Sequence, residues 1–186
     1  MNKHEIISHL PVTTERLILR VPTAGDIDLI QAAKEARVED LRRWMSWSSP
    51  EGLSRAGTEF FIGTATDMHH PSIPLIATDK ANGAFVFSSG IDALTPDFTK
   101  VSTGWWVNKD FEGQGLVYEG MTGLIRFAFN TLGVQEIQSE YYEGNARSQN
   151  LMERLGFQFV GINPLAHQSH LTGDWAHVYK YVLTPI

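Results

Sequence analysis

Two glycines separated by one residue stand in the segment Phe111–Leu116, which opens into an amphipathic run. Glycine has no Cβ atom, so the backbone can approach an anion closely, and the first N–H groups of a helix lack an intrahelical acceptor. Gly113 and Gly115 therefore predict a cradle for a pyrophosphate at a helix start. The alternative is a tight turn or a closely packed helix start, both of which use the same glycines.

Two common nucleotide-binding motifs do not fit this segment. A dinucleotide-binding fingerprint needs a third glycine where this chain has Tyr118, and a P-loop needs Gly-Lys followed by Ser or Thr, which occurs nowhere in the sequence. Strands are predicted at 101–107, before the glycines, and at 135–141, after the helix. The turn thus joins a strand to a helix, an arrangement that suits the pyrophosphate of coenzyme A.

Hydrophobic periodicity and turn residues predict the remaining elements. Helices are expected to begin at Thr23 or Asp26, at Pro50, at Leu116 and at Asn145. Strands are expected at 15–21, 73–78, 84–91, 101–107, 135–141, 157–161 and 176–183. This order predicts an α/β fold in which a mixed sheet of about seven strands has about four helices on its two faces.

The composition indicates one globular domain over residues 1–186, since 42% of the residues are hydrophobic and 19% are charged. Residues 1–13 are expected to form a loosely ordered N-terminal segment. The formal net charge of -6 argues against a non-specific nucleic-acid binder and favours cationic partners such as amines or basic protein tails.

Targeting and redox signals are absent from the sequence. No apolar run reaches the roughly 18 residues that span a bilayer, and the polar start lacks a signal-peptide core. We therefore expect a cytoplasmic protein without membrane contact. The lack of cysteine excludes disulfides, thiol nucleophiles and cysteine-based zinc sites.

Five segments carry a resemblance to a known family: Thr14–Arg20, Trp44-Met45-Ser46-Trp47, Arg126–Phe129 with Leu132-Gly133, Asn145-x-x-Ser148, and Leu155-Gly156-Phe157. With the glycine turn they resemble the GNAT superfamily of N-acetyltransferases over nearly the whole chain, and most closely its RimJ/RimL branch, which acetylates ribosomal-protein N-termini. There are two departures. Asp110 stands where many members have Arg or Gln, so we expect it to point away or cap the turn, and Ser46 replaces a frequent proline.

The resemblance implies a mostly antiparallel, twisted GNAT sheet and acetyl-CoA as the acetyl donor, with no metal. The residues it implies for binding acetyl-CoA are Trp105, Trp106, Val107, Gly113, Gln114, Gly115, Leu116, Val117, Asn145 and Ser148. Backbone amides of the five residues from Gly113 to Val117 would hold the pyrophosphate. The pantetheine arm would lie along Trp105–Val107, and a free N–H near Val107 would polarise the thioester. The alternative for the two tryptophan side chains is core packing.

Acyl transfer requires a neutral amine, and a free α-amino group with a pKa of about 7.8 is roughly a quarter neutral at cytoplasmic pH, against about one part in a thousand for lysine. By the resemblance Glu140 is the base, acting directly or through water. Its alternative is a solvated carboxylate that attracts the cation, and Glu143 is a weaker candidate. Ser148 would donate a hydrogen bond to the departing sulfur, or would simply cap the helix. The tyrosine that related enzymes use for this falls on Met152.

Trp44 and Trp47 lie on the loop that overhangs the acceptor channel in this fold. They are expected to line the acceptor pocket beside Glu140, and the alternative is that they anchor the loop to the core. The histidines at 69, 70, 167, 170 and 177 lack the helical i, i+4 spacing of a zinc protease and are expected at loop surfaces.

Together these features predict an acetyl-CoA-dependent N-acetyltransferase that acts on a protein N-terminus. The alternatives are the same chemistry on a small amine, amino acid or antibiotic, and a CoA-binding or dimerising protein with little catalysis, which Asp110 keeps open. A homodimer is common in the branch and is expected here.

Overall fold

The computed structural model describes residues 1–185, and within them nine strands form one sheet accompanied by seven α-helices. The helices are α1 (Lys3–Ser8), α2 (Ile27–Glu35), α3 (Val38–Trp44), α4 (Pro50–Leu53), α5 (Arg55–Gly63), α6 (Leu116–Asn130) and α7 (Ala146–Arg154). The strands are β1 (Val12–Thr13), β2 (Leu17–Arg20), β3 (Ser72–Asp79), β4 (Phe85–Ala93), β5 (Lys100–Ser102), β6 (Trp105–Val107), β7 (Glu136–Tyr142), β8 (Gln158–Gln168) and β9 (Trp175–Leu183). None of these helices is long and apolar enough to cross a membrane.

The strands follow the order β1-β2-β3-β4-β5-β7-β9-β8, and β6 pairs with β4 beside this path. Every pair is antiparallel except β5 with β7. The prediction of a mixed α/β fold with a mostly antiparallel sheet is confirmed. The two additional strands are β1 and β6, and β6 is the second half of the predicted strand 101–107.

The predicted strand 101–107 is interrupted at Thr103 and Gly104. Ser139 Oγ donates to the Thr103 carbonyl at 2.8 Å, and Ser89 Oγ donates to the Gly104 carbonyl at 2.8 Å. These hydroxyls replace the ladder partners that a continuous strand would use. As a result β5 pairs with β7 whereas β6 pairs only with β4, and the sheet opens between β6 and β7.

The N-terminal segment differs from the loose order expected for residues 1–13. Asn2 and Glu5 form a capping box at α1, and Ile6 is completely buried. Lys3 is also buried, and its ammonium group donates to four carbonyls: those of Thr64, Asp67 (2.9 Å), His70 (3.2 Å) and Ser72 (2.7 Å). Lys3 thereby satisfies carbonyls that follow the end of α5 and ties α1 to that turn.

The helical region 38–63 is more divided than the sequence predicts. Helix α3, which was not expected, leads into residues 44–47, called the tryptophan loop below. The helix expected from Pro50 to about residue 66 is split at Ser54. Ser54 is extended and its hydroxyl accepts a hydrogen bond from the Gly57 amide at 3.2 Å, so it caps α5 instead of continuing α4.

The central helix α6 lies against the core strands through a glycine. A Cβ atom at Gly120 would stand 2.5 Å from the Phe87 ring and 3.1 Å from Leu17, and both of those side chains are completely buried. The close approach of α6 to the sheet therefore requires glycine at this position.

We predict that Gly120→Ala lowers the free energy of unfolding by about 1–3 kcal/mol, because the buried ring has no space to move. Urea denaturation monitored by circular dichroism measures the effect. Gly63→Ala is the matched control, since a Cβ there meets nothing within 4 Å. It should be neutral or slightly stabilising, since alanine favours helix over glycine by up to about 1 kcal/mol. Equal losses in the two variants would contradict the steric account.

Candidate active site

The edge of β6 that faces β7 is unpaired. The Asn108 amide donates to the Val86 carbonyl at 2.8 Å, and antiparallel hydrogen-bonded pairs alternate, so Trp106 bonds to β4 while the polar groups of Trp105 and Val107 turn toward the opening. The Val107 carbonyl accepts from Arg37 Nη1 at 3.0 Å. The Val107 N–H therefore faces the gap, which is the position that oxyanion stabilisation requires.

A cleft of about 1220 Å³ passes through this opening. Residues from both faces of the sheet line it: Gln138, Glu140 and Lys180 on one side, and Tyr141, Ser148 and Met152 on the other, with Trp44, Trp47, Trp105, Trp106 and Asn145 around them. The opening thus joins the two sides of the sheet. Two ligands can meet inside it, one from each side.

The glycine turn has the geometry of an anion nest. Gly113 and Gly115 have φ values of 75° and 74°, and Gly115 is the N-cap of α6. The backbone amides from Gly113 to Val117 donate to no other group in residues 1–185. Arg16 fixes the turn from outside, because its guanidinium contacts the Gln114 carbonyl at 3.3 Å and the Glu119 carboxylate at 2.6 Å. The amides are therefore available for a diphosphate.

Glu140 stands in β7 opposite Lys180 of β9. Glu140 is an exposed residue, and it is one of the residues that line the cleft. Burial raises the pKa of Glu140, and the charge of Lys180 opposes this rise. Glu143, the weaker candidate, lies outside the lining of the cleft, and its carboxylate accepts from the His177 amide at 3.4 Å.

Asn145 and Ser148 have separate positions at the start of α7. The Asn145 side chain accepts a hydrogen bond from the Ser148 amide at 3.2 Å and so caps the helix. The Ser148 hydroxyl forms no hydrogen bond within residues 1–185 and lines the cleft. A capping role for this hydroxyl therefore has no contact to support it. Met152 is almost completely buried nearby.

A sequence profile described as an Acetyltransferase (GNAT) domain matches residues 16–158. The chain belongs to this family. The [Ribosomal protein uS5]-alanine N-acetyltransferase of Escherichia coli K12 is 31% identical over 181 residues, which covers 94% of this chain and 91% of the relative. Acetyl-CoA is therefore the acetyl donor of this GNAT acetyltransferase.

Solved structures show the same fold. The ribosomal-protein-S5-alanine acetyltransferase of Vibrio fischeri has a TM-score of 0.81 at 15% identity and covers 94% of this chain and 96% of its own. RimL, an L7/L12 α-N-protein acetyltransferase in complex with coenzyme A, has a TM-score of 0.77 at 18% identity, with coverages of 94% and 96%. These similarities show a shared fold, and the Escherichia coli relative, a ribosomal-protein N-acetyltransferase, supports the RimJ/RimL-like branch that the sequence resembles.

In this GNAT chain Asp110 does not cap the turn before Gly113. The cap is Asn108, whose side chain accepts from the Asp110 amide at 3.3 Å. The Asp110 side chain is exposed and makes no hydrogen bond or ion pair within residues 1–185. The aspartate at position 110, where many family members have Arg or Gln, thus leaves the backbone amides from Gly113 to Val117 free.

An ion network beside the nest was not predicted. The Glu112 carboxylate contacts both Arg147, at the start of α7, and Arg37 Nη1, the latter at 3.3 Å. Arg37 also pairs with Asp40 at 2.7 Å, and its side chain is only 8% exposed. Arg37 therefore joins three parts of the structure: the α2–α3 junction, the end of β6 and the segment that leads into the glycine turn. Its partners are distant in sequence, so residue spacing carries no signal for it.

The tryptophans divide between core and cleft. Trp106 is buried, with its ring 5.3 Å from that of Phe85 and 6.3 Å from that of Trp47, as core packing requires. Trp47 and Trp44 line the cleft, and Trp44 also approaches Gly144 at the turn before α7. Both pocket lining and loop anchoring are therefore visible in these side chains.

Lys34 is a second residue that sequence reasoning missed. Its ammonium group is buried, donates to the Gly52 carbonyl and to Thr58 Oγ1 at 2.9 Å each, and lies 5.2 Å from the Trp47 ring centre. Burial lowers the pKa of Lys34 to about 8. Lys34 positions the tryptophan loop and α4 over the cleft. The amphipathic pattern of α2 places it beside buried Ala33, but residue type alone assigns lysine to the surface.

His167 corrects the expectation that the histidines lie at loop surfaces. It is a buried residue of β8, its ring stacks on Tyr142 with centres 3.5 Å apart, and burial lowers its pKa. His170 contacts the Ser46 carbonyl through Nε2 at 2.8 Å, and Arg42 donates to the His170 carbonyl at 2.7 Å. The β8–β9 hairpin is thereby joined to the tryptophan loop. No cluster of three metal-binding side chains occurs among residues 1–185.

We predict that Gly115→Ala weakens coenzyme A binding by about tenfold, because an alanine Cβ strains the left-handed backbone by about 1–2 kcal/mol. Isothermal titration calorimetry measures the dissociation constant. Gly133→Ala is the matched control: it has a φ of 68° just beyond the other end of α6, where a Cβ meets nothing within 4 Å. The control should lose stability and keep its affinity. Similar affinities in both variants would exclude the glycine turn as the pyrophosphate site.

Proposed function

We propose that this chain transfers the acetyl group of acetyl-CoA to the α-amino group of a protein N-terminus. The observation that carries the proposal is the opening between β6 and β7: Glu140 and Ser148 line the cleft that passes through it, and the Val107 N–H points away from β4 into the same gap. The Escherichia coli relative, a [Ribosomal protein uS5]-alanine N-acetyltransferase, supports this acceptor class.

On the donor side, the chain supplies backbone groups. The free amides from Gly113 to Val117 bind the pyrophosphate, and the open edge of β6 pairs with pantetheine as an added strand would. Bound acetyl-CoA supplies an activated acyl group as its thioester. The Val107 N–H polarises the carbonyl of that group and stabilises the negative charge that develops on its oxygen.

On the acceptor side, Glu140 removes the proton from the ammonium group, directly or through water, so that the amine nitrogen can bond to the acyl carbon. Its raised pKa brings it closer to the pH at which it works, which improves a general base. As the C–S bond breaks, the Ser148 hydroxyl donates a hydrogen bond to the sulfur. Trp44 and Trp47 hold the acceptor over the opening.

Thiol release from acetyl-CoA tests the proposal. The panel contains peptides with a free N-terminus, the same peptides with a blocked N-terminus and an internal lysine, and small amines including amino acids. We expect turnover with the free N-termini only. Turnover confined to small amines would support the alternative acceptor class, and coenzyme A binding without any turnover would support a binding protein.

We predict that Lys180→Met moves the acidic limb of the kcat/KM profile to higher pH. Lys180 holds the pKa of Glu140 down, so its removal raises that pKa, and a base must be ionised to act. Initial rates measured from pH 5 to 9 show the shift. Glu140→Gln should lower turnover, raise the apparent pH optimum and abolish the effect of the lysine substitution. An unchanged profile in Glu140→Gln would remove Glu140 from the mechanism.

The proposal includes a cytoplasmic location and a homodimer. The β8–β9 hairpin supports self-association, because β8 is the last strand of the sheet and leaves one edge unpaired within residues 1–185. Its exposed large apolar side chains are Phe159, Val160, Ile162, Leu165 and Trp175. Apolar side chains gathered at a free sheet edge favour pairing with another chain.

A further inference from the structure

A second carboxylate, Asp92, lies in the cleft on the same sheet face as Glu140. Asp92 pairs with Ser102, and Ser102 pairs with Gln138, which precedes Glu140 by two residues on β7. Cross-strand partners and residues two apart share a face of a sheet. All four residues line the cleft. On this face of the sheet, Glu140 therefore lies on β7, beside the opening, and Asp92 lies two strands away on β4.

Asp92 takes part in no ion pair within residues 1–185. Its neighbours are Ser72, which faces it across the β3–β4 pair, and His70. Burial raises the pKa of Asp92, whereas the Ser72 hydroxyl and the charge of His70 oppose the rise. A desolvated and unpaired carboxylate is stabilised when a cation reaches it.

The nearby ammonium groups form no ion pair with Asp92 within residues 1–185. Lys34 donates to Gly52 and Thr58, and Lys3 donates to four backbone carbonyls, two of them those of His70 and Ser72. Lys180 stands at the register position opposite Glu140. None of the three forms an ion pair with Asp92, so the cation that fits this carboxylate comes from the acceptor.

The distance between the two carboxylates fits a peptide. Two strand spacings of about 4.8 Å and two residues along a strand separate the Cα atoms of Glu140 and Asp92 by about 12 Å. An extended peptide advances about 3.3 Å per residue, and a lysine or arginine side chain adds its own length. With the α-amine at Glu140, a basic side chain near the third residue reaches Asp92.

We propose that Asp92 determines acceptor specificity by binding a lysine or arginine side chain at the second to fourth residue of the N-terminal peptide. This inference rests on the proposed function. The groove beyond Asp92 has apolar walls from Phe60, Phe61 and Leu94, which can contact the methylene groups of such a side chain. The acidic net charge of the protein also favours a cationic acceptor.

Three hexapeptides that differ only at the third residue test the proposal: lysine, norleucine and glutamate, each with a free alanine N-terminus. Wild-type protein should acetylate the lysine peptide with a kcat/KM at least about fivefold above that of norleucine, the effect of one charge pair at a partly buried site. The glutamate peptide should be slowest. Asp92→Asn should equalise lysine and norleucine, and Asp92→Lys should make glutamate the preferred peptide.

Glu15→Gln is the matched control, because it also removes one negative charge, but Glu15 is exposed and lies outside the cleft. It should keep the preference for lysine, which separates a local contact from an effect of net charge. Thermal melting and coenzyme A affinity show whether each variant is folded. The comparison of the three peptides on wild-type protein does not depend on any variant.

Two results would overturn the inference in different ways. If wild-type protein acetylates the lysine and norleucine peptides equally well, Asp92 does not select the acceptor, and the N-terminal acetyltransferase activity stands. If no peptide is acetylated while a small amine or polyamine is, the proposed function itself fails and the inference fails with it.

Discussion

The side-chain hydrogen bonds to the Thr103 and Gly104 carbonyls are the interactions on which the rest of this structure depends. Because Ser139 and Ser89 satisfy these groups, the strand path can part at this point without leaving buried polar atoms unpaired. A continuous strand would close the sheet over the cleft. In the proposed function, the opening gives the thioester and the amine access to each other from opposite faces of the sheet.

Charge is arranged differently on the two sides of this opening. On the proposed donor side, the groups available to an anion are the backbone amides of the glycine turn, and the nearby arginines Arg37 and Arg147 are paired with Glu112. On the acceptor side the carboxylates of Glu140 and Asp92 face the cleft without an ion pair within residues 1–185. A polyanionic donor and a cationic acceptor are thus each directed to their own side.

Features that depend on local conformation could be predicted from the sequence. The left-handed glycines at 113, 115 and 133 and the Asn145 cap each follow from one residue type at one end of a helix. The interruption of 101–107 could not be predicted, since its partners Ser89 and Ser139 lie on other strands. Lys3 and Lys34 were missed for a related reason: distant carbonyls make their burial favourable, whereas residue type alone places lysine at the surface.

The bridge between the β8–β9 hairpin and the tryptophan loop has a consequence for how an acceptor enters. Hydrogen bonds between Ser46 and His170, between Arg42 and His170, and between Arg42 and Leu171 join the hairpin to the tryptophan loop, which itself lines the cleft. A free polypeptide terminus is a single chain end and can pass such a bridge without breaking it. An internal lysine on a folded surface brings two chain directions with it, so the bridge would have to break before that lysine reached the thioester.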